Sequence, residues 1–212
     1  MWKWDRVDLV YRDDETGKIL SRDRALAFVD QSLAAGGDAV DGLASLMANS
    51  QLSPADWHER MQREIKGEYI RQYLLGRGGL EQMEQADWGS VGGMIAEQYR
   101  PYLTNFAGEV SGLSEGQILV RARMYINSAR EAFERGKARS QGMPFGALPA
   151  YPADGQTVCL TEDRCSWEIE TIRDAAGNII RWDCYWRLDS AAQHCSSCLD
   201  NAATYSPFVV EA

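Results

Sequence analysis

Cysteine is confined to one short part of this chain of 212 residues. All five cysteines lie near the C-terminus: Cys159, Cys165, Cys184, Cys195 and Cys198. Thiolates bind zinc, exchange with disulfides and attack electrophiles, so their clustering is the first sign of chemistry in the sequence. The last two form a C-x-x-C pair within "HCSSC", a spacing that places two thiolates on one side of a turn.

A tetrahedral zinc ion needs a second pair of ligands, and the stretch "CLTEDRC" contains one. This stretch precedes an expected β-strand, whereas "HCSSC" follows the next strand. Since an antiparallel hairpin returns the chain to its start, the two pairs should meet at one end of the hairpin. The spacing therefore predicts a zinc site formed by Cys159, Cys165, Cys195 and Cys198. His194 and Asp163 are alternative ligands in the same stretches.

Free thiols and disulfides are the two other states open to these cysteines. The start "MWKWD" lacks the apolar segment of a signal peptide, which predicts folding in a cytoplasm, where cysteines stay reduced. Cys184 lies among aromatic residues and is expected to pack in the core. A thiol redox enzyme or a metal-binding regulatory module centred on "HCSSC" is the alternative function, although no βαβ unit surrounds the motif.

Other common catalytic motifs are incomplete. A zinc protease helix needs a second histidine four residues after the first, and the residue at that distance from His58 is Gln62. The nucleotide deaminase signature requires H-x-E and P-C-x-x-C, neither of which occurs. Phosphate-binding glycine loops and the G-x-S-x-G elbow are also missing. The sequence therefore predicts a protein that is not an enzyme.

The composition is that of a globular protein with an acidic surface. Hydrophobic residues make up 45% and charged residues 25%, and the net charge is −9. Because phosphate neutralisation is the main source of affinity for nucleic acids, this charge argues against general nucleic-acid binding. No apolar run approaches the roughly 20 residues of a membrane helix, so no membrane association is expected.

The first half of the chain carries helical patterns. A hairpin is predicted within residues 7–20, followed by a helix that Ser21 caps and that ends at Gly36-Gly37. A further helix is predicted to start at Asp38. Ser53 and Pro54 mark the start of the next helix, which "GRGG" should end. Pro101 should interrupt another helix between about residues 82 and 110.

A capping box at Ser114 and Gln117 predicts a helix that extends to about Ser140. This helix carries many basic side chains. The simpler interpretation is a solvated face. The alternative is a surface that docks an acidic partner, with four candidate binding residues: Arg121, Arg123, Arg130 and Arg135.

The pattern changes after Gly142, where "GMPFGALPAYPADGQ" indicates an extended connector. Alternating residues beyond it predict two strands, and a short helix is expected over about residues 196–203. The predicted fold class is therefore α+β and mainly α, with a multi-helix body followed by a small β-hairpin module that contains every cysteine. The predicted domains are a helical body with a short hairpin (1–142), a Pro/Gly connector (143–155) and the hairpin module (156–212).

Residues from about Leu113 to Pro207 resemble the minor head (head-morphogenesis) proteins of tailed phages. The resemblance lies in "RARMYINSAREAFERGKAR", the connector, and "WDCYWRLDSAAQHCSSCLDNAA". The stretch "CLTEDRC" is similar to a "CLTNCRC" form of phage relatives, and Asp163 stands where that form has cysteine. This departure puts a four-thiolate site that includes position 163 in doubt.

The resemblance implies a structural role in head assembly without catalysis. Its expected partners are other capsid or portal proteins, in a homo- or hetero-oligomer. Its expected location is the virion, after synthesis in the host cytoplasm. Zinc is the cofactor that the cysteine pattern suggests.

Overall fold

The computed structural model describes residues 2–190 and 193–212 and is mainly α-helical. The helices are α1 (Arg22–Ala48), α2 (Pro54–Arg77), α3 (Gln85–Glu97), α4 (Thr104–Glu109), α5 (Glu115–Asn127), α6 (Arg130–Ser140) and α7 (Ser196–Thr204). The strands are β1 (Trp2–Asp5), β2 (Val10–Asp13), β3 (Ser166–Arg173), β4 (Ile179–Arg187) and β5 (Phe208–Glu211). The predicted class, α+β and mainly α, is confirmed.

The helix starts follow the predicted capping residues. The side chains of Ser21, Ser53 and Ser114 each accept a backbone N–H from the first turn of the helix that follows. The capping box between Ser114 and Gln117 is present. These caps depend on residues three positions apart, which explains why the sequence predicts them.

The predicted break at Gly36-Gly37 is wrong, because α1 runs through both glycines. Both are buried, and a Cβ at Gly36 would lie 2.9 Å from the Ile126 side chain. The glycines therefore permit close contact between α1 and its neighbours rather than ending the helix. Asp38, predicted to cap a new helix, lies within α1.

The N-terminal hairpin lies earlier in the chain than predicted. β1 pairs antiparallel with β2, Trp2 opposite Asp13, so its first strand precedes residue 7. Ile19 contributes only an isolated bridge to Arg12.

Two of the long helical patterns are interrupted. Pro101 lies in a wider turn, Gln98–Leu103, that separates α3 from α4, as predicted. The pattern from Ser114 to Ser140 forms two helices rather than one, since the chain leaves helical hydrogen bonding between α5 and α6. The hydroxyl of Ser128, at this break, donates to the carbonyl of Tyr125 and bonds to the hydroxyl of Tyr69.

The C-terminal sheet has the order β3-β4-β5 and is antiparallel throughout. The hairpin of β3 and β4 is confirmed, and α7 follows the predicted short helix closely. β5 was not predicted; it pairs with β4 from Arg181 opposite Glu211 to Cys184 opposite Phe208.

The connector between body and sheet is irregular, as predicted, but it is part of a core. Met143, Leu148 and Tyr151 are buried and pack with the tryptophans of the sheet. A separate, larger core occupies the helical body. Ala138 of α6 already belongs to the second core, so the two units meet on this helix.

No helix within residues 2–190 and 193–212 combines the length and apolar character needed to cross a membrane.

Candidate metal centre

Three thiols from two distant parts of the chain meet at one end of the C-terminal sheet. The sulfur of Cys159 lies 3.3 Å from that of Cys195 and 3.4 Å from that of Cys198. More than 30 residues separate Cys159 from this pair in sequence, and all five cysteines are free thiols. The three sulfurs could hold a metal ion.

A second group of three ligand atoms shares Cys198 with the first. It consists of a carboxylate oxygen of Asp163 and the sulfurs of Cys165 and Cys198, all of them buried. The nearer oxygen of Asp163, Oδ2, lies 3.5 Å from the Cys198 sulfur. The four cysteines predicted from the sequence therefore lie in one region, together with Asp163. Whether they bind metal remains a prediction.

Short local elements present these groups. Cys159 precedes a turn of 3-10 helix over Leu160–Glu162, and Asp163 follows it. Cys195 is the N-cap of α7, which places Cys198 in the first turn of that helix. The two loops are held together by a hydrogen bond from the backbone N–H of Val158 to the hydroxyl of Ser197, at 3.3 Å.

The hydroxyl of Thr157 lies between the two groups of ligand atoms. It is 3.4 Å from the Cys159 sulfur and 3.4 Å from Oδ2 of Asp163. Thr157 is buried. A buried hydroxyl with these neighbours can orient a carboxylate or a thiolate that binds a metal.

The surroundings shift the pKa values of the thiols in opposite directions. Burial raises the pKa of Cys198, and hydrogen bonding with Cys159 raises it further. Burial and the Asp163 carboxylate raise the pKa of Cys165 to about 12. For Cys195, burial acts to raise the pKa, but hydrogen bonds from the backbone of Cys198 and from the Cys159 thiol lower it to about 7. Cys195 is therefore the clustered thiol whose surroundings most favour the thiolate.

Two other residues of the cysteine region lie outside these groups of ligand atoms. Cys184 is completely buried in β4 and packs in the second core, as predicted. Burial raises its pKa to about 12. His194 is half-buried next to Cys195, but among the described residues it belongs to neither group.

The first two of the predicted binding arginines are occupied by contacts within the chain. Arg121 donates to Glu109 at 2.8 Å, and its guanidinium lies 4.2 Å from the centre of the Phe106 ring. Arg123 donates to Asp41 at 2.8 Å. Both side chains are still half-exposed.

The other two arginines belong to α6. Arg130 is buried and forms an ion pair with Asp30 of α1. Arg135 donates to Glu131 at 2.6 Å and lies 4.1 Å from the centre of the Tyr151 ring. The break between α5 and α6 therefore separates the four arginines, and each has a carboxylate partner. Arg135 and Glu131 have the local i,i+4 spacing, whereas the partners of Arg123 and Arg130 lie in a distant helix and are not visible in sequence periodicity.

Comparison with known proteins yields no match: no family model, no curated protein and no solved structure is significantly similar to this chain.

Proposed function

We propose that this protein is a non-enzymatic structural protein that acts by docking to other proteins, and that zinc fastens its C-terminal module. The observation that carries the proposal is the meeting of Cys159, Cys195 and Cys198 from two separate loops. A structural zinc ion uses such thiolates and contributes directly to folding.

The spacing of the sulfurs suits a zinc ion. Zinc–sulfur bonds of about 2.3 Å in a tetrahedron place the sulfurs about 3.8 Å apart. The distances of 3.3 and 3.4 Å from Cys159 to its two neighbours need only a small expansion. The fourth ligand comes from the second group, as either Cys165 or Asp163.

The location of the site supports a fastening role. The loop from Thr157 to Asp163 contains only one turn of 3-10 helix, and α7 is nine residues long. Because both segments are short, an ion held by both would fix one against the other. Side chains around the loops, including Val158 and Leu199, are exposed and apolar. They offer a docking surface beside the ion.

The assembly that we propose is a tailed-phage head, with other capsid or portal proteins as partners. The resemblance of residues 113–207 to minor head proteins supports this proposal. Mass spectrometry of purified particles and the identity of the neighbouring genes test it. Absence of the protein from particles, together with a gene far from portal and terminase genes, would refute the assembly role.

The zinc role has its own test. Elemental analysis of protein purified without added metal should give about one zinc per chain. A zinc content near zero, with all five thiols reacting freely in the native protein, would refute this part of the proposal.

A thiol redox enzyme is the second candidate, and one observation favours it. Cys195 is the N-cap of α7, has a pKa lowered to about 7, and its sulfur lies 3.3 Å from the Cys159 sulfur. Reactive thiols occupy similar positions at helix starts. The unmodified protein should then catalyse thiol–disulfide exchange, and replacing Cys195 and Cys198 with serine should abolish it. Lack of exchange by the unmodified protein excludes this function.

A further inference from the structure

Asp163 is a buried carboxylate that forms no ion pair with any residue that the structure describes. Its side chain is only 2% exposed. Among residues 2–190 and 193–212, no Lys, Arg or His forms an ion pair with it. Buried charges in proteins are paired with opposite charges or coordinate metals, because an isolated ion loses its hydration. The surroundings of Asp163 therefore call for a cation.

The nearest basic residues do not supply that charge. Arg123 and Arg130 line the cavity beside Asp163, but they pair with Asp41 and Asp30. Arg164 lines the same cavity and is exposed to solvent.

The two oxygens of Asp163 have different roles. Oδ1 accepts the backbone N–H of Cys165 at 2.8 Å, which fixes the turn before β3. Oδ2 lies 3.5 Å from the Cys198 sulfur and 3.4 Å from the Thr157 hydroxyl. One oxygen is thus used by the backbone, and the other is directed toward the cluster of thiols.

The sulfur of Cys165, the competing ligand, already lies within 4.8 Å of that of Cys198, but its backbone is less free to move toward Cys159 and Cys195. Cys165 immediately precedes β3. The first residue of this strand, Ser166, pairs with Arg187 of β4, and its hydroxyl accepts a hydrogen bond from Arg22 of α1. The next backbone N–H, of Trp167, is held by Glu134 at 3.0 Å. The sheet and the body therefore fix the backbone beside Cys165, whereas Asp163 belongs to the loop before the strand.

We propose that Asp163 is the fourth metal ligand, so that zinc is held by three thiolates and one carboxylate. The proposal rests on the zinc role proposed above. The ligands are then Cys159, Cys195 and Cys198 with Oδ2 of Asp163. Thr157 orients the carboxylate from outside, and Cys165 packs beside the site as a thiol.

X-ray absorption of the zinc-loaded full-length protein tests the ligand set without any substitution. The expected result is three sulfurs at about 2.3 Å and one oxygen at about 2.0–2.2 Å. Four sulfurs without an oxygen would overturn the assignment of Asp163 but leave the zinc role intact. A protein that binds no zinc would refute the zinc role itself, so the two failures are distinguishable.

A pair of variants gives a second test. Asp163→Asn keeps the acceptor for the Cys165 N–H but removes the charge, and should weaken zinc binding by more than the 10–100-fold typical of residues outside the ligand shell. Cys165→Ser should keep one zinc per chain and the same absorption spectrum. A larger loss of zinc affinity in Cys165→Ser than in Asp163→Asn would overturn the proposal. If Asp163→Asn does not fold, the spectrum of the unmodified protein decides.

Discussion

The carboxylate of Glu134 in α6 accepts the backbone N–H of Trp167 in β3 at 3.0 Å. The same carboxylate pairs with Lys137 at 2.6 Å, and Lys137 donates in turn to the carbonyl of Trp167 at 2.6 Å. Glu134 is completely buried. This small network joins the helical body to the C-terminal sheet, and it makes the position of the loops that carry the clustered cysteines depend on α6.

Removing the charge of Glu134 should therefore destabilise the protein. Glu134→Gln leaves the Lys137 ammonium without its buried partner, and breaking such pairs costs about 3–5 kcal/mol. Unfolding in urea, followed by circular dichroism, measures the loss. The matched control is Glu59→Gln, in an exposed pair with Arg63 at 3.4 Å. It should change the free energy of unfolding by less than about 1 kcal/mol, and equal effects of the two changes would contradict the prediction.

The crossing of α2 and α6 should tolerate no side chain at Gly76. A Cβ there would lie 2.1 Å from the Phe133 carbonyl oxygen and 2.8 Å from the Lys137 nitrogen, both backbone atoms. Gly76→Ala must therefore separate the helices and should cost about 3 kcal/mol or more. Gly67→Ala, on the exposed side of α2 with open space around it, should instead gain up to about 1 kcal/mol from helix propensity. Thermal unfolding of both variants checks the difference, and equal stabilities would contradict it.

Asp5 should make the N-terminal hairpin sensitive to acid. Hydrogen bonds from the Arg12 side chain and from the backbone of Asp8 and Val7 lower the pKa of Asp5 below its usual 3.8. Since the folded value lies below the unfolded one, the stabilisation is complete above pH 3.8 and is lost as the pH falls through the folded pKa. Asp5→Asn should lower the free energy of unfolding at pH 7. At low pH, where Asp5 is protonated, the substitution should have a smaller effect on the free energy of unfolding.

The matched control for Asp5 is Asp14→Asn. Asp14 is exposed and forms only a loose pair with Lys3 at 3.8 Å. Its replacement should have little effect at either pH. Carboxyl titration by NMR checks the low pKa of Asp5 directly, and a value at or above 3.8 would refute the argument.

Metal removal should loosen the loops of the cluster before the helical body. If the proposed zinc joins the two segments, chelation of the zinc-loaded protein should speed amide exchange over residues 157–165 and 195–204. The amides of α1 and α2 should stay protected by the larger core. Simultaneous loss of protection throughout the chain would show that the module and the body unfold together.

Two cysteines in the same module provide a matched pair for this experiment. Cys198→Ser removes the sulfur shared by both groups of ligand atoms and should abolish zinc binding. Cys184 lies in the sheet outside both groups, so Cys184→Ser should keep one zinc per chain. The substitution should still reduce stability, because it places a hydroxyl in the core. Zinc content and urea unfolding separate the two effects. Loss of zinc from the Cys184 variant alone would contradict this assignment.

Local features of the chain were predictable from the sequence. The caps at Ser21, Ser53 and Ser114 depend on residues within one helical turn. The sequence separation of the cap and its partner therefore determines whether they can form a hydrogen bond. The hairpin of β3 and β4 follows from alternation and a turn, and it brings the two cysteine pairs to one end. The hairpin therefore predicts where these segments meet, whereas the distances from Cys159 to Cys195 and Cys198 depend on packing between segments more than 30 residues apart.

Features set by long-range packing were decided only in the tertiary structure. The sequence predicts a helix end at Gly36. In the structure Gly36 lies inside α1, and its lack of a side chain allows close contact with Ile126. The extended connector becomes part of a core because Met143 and Leu148 pack against the tryptophans of the sheet. The role that we propose for Asp163 has the same origin. Its sequence neighbours show an acidic loop, whereas burial and the distance to Cys198 come from packing between segments about 35 residues apart.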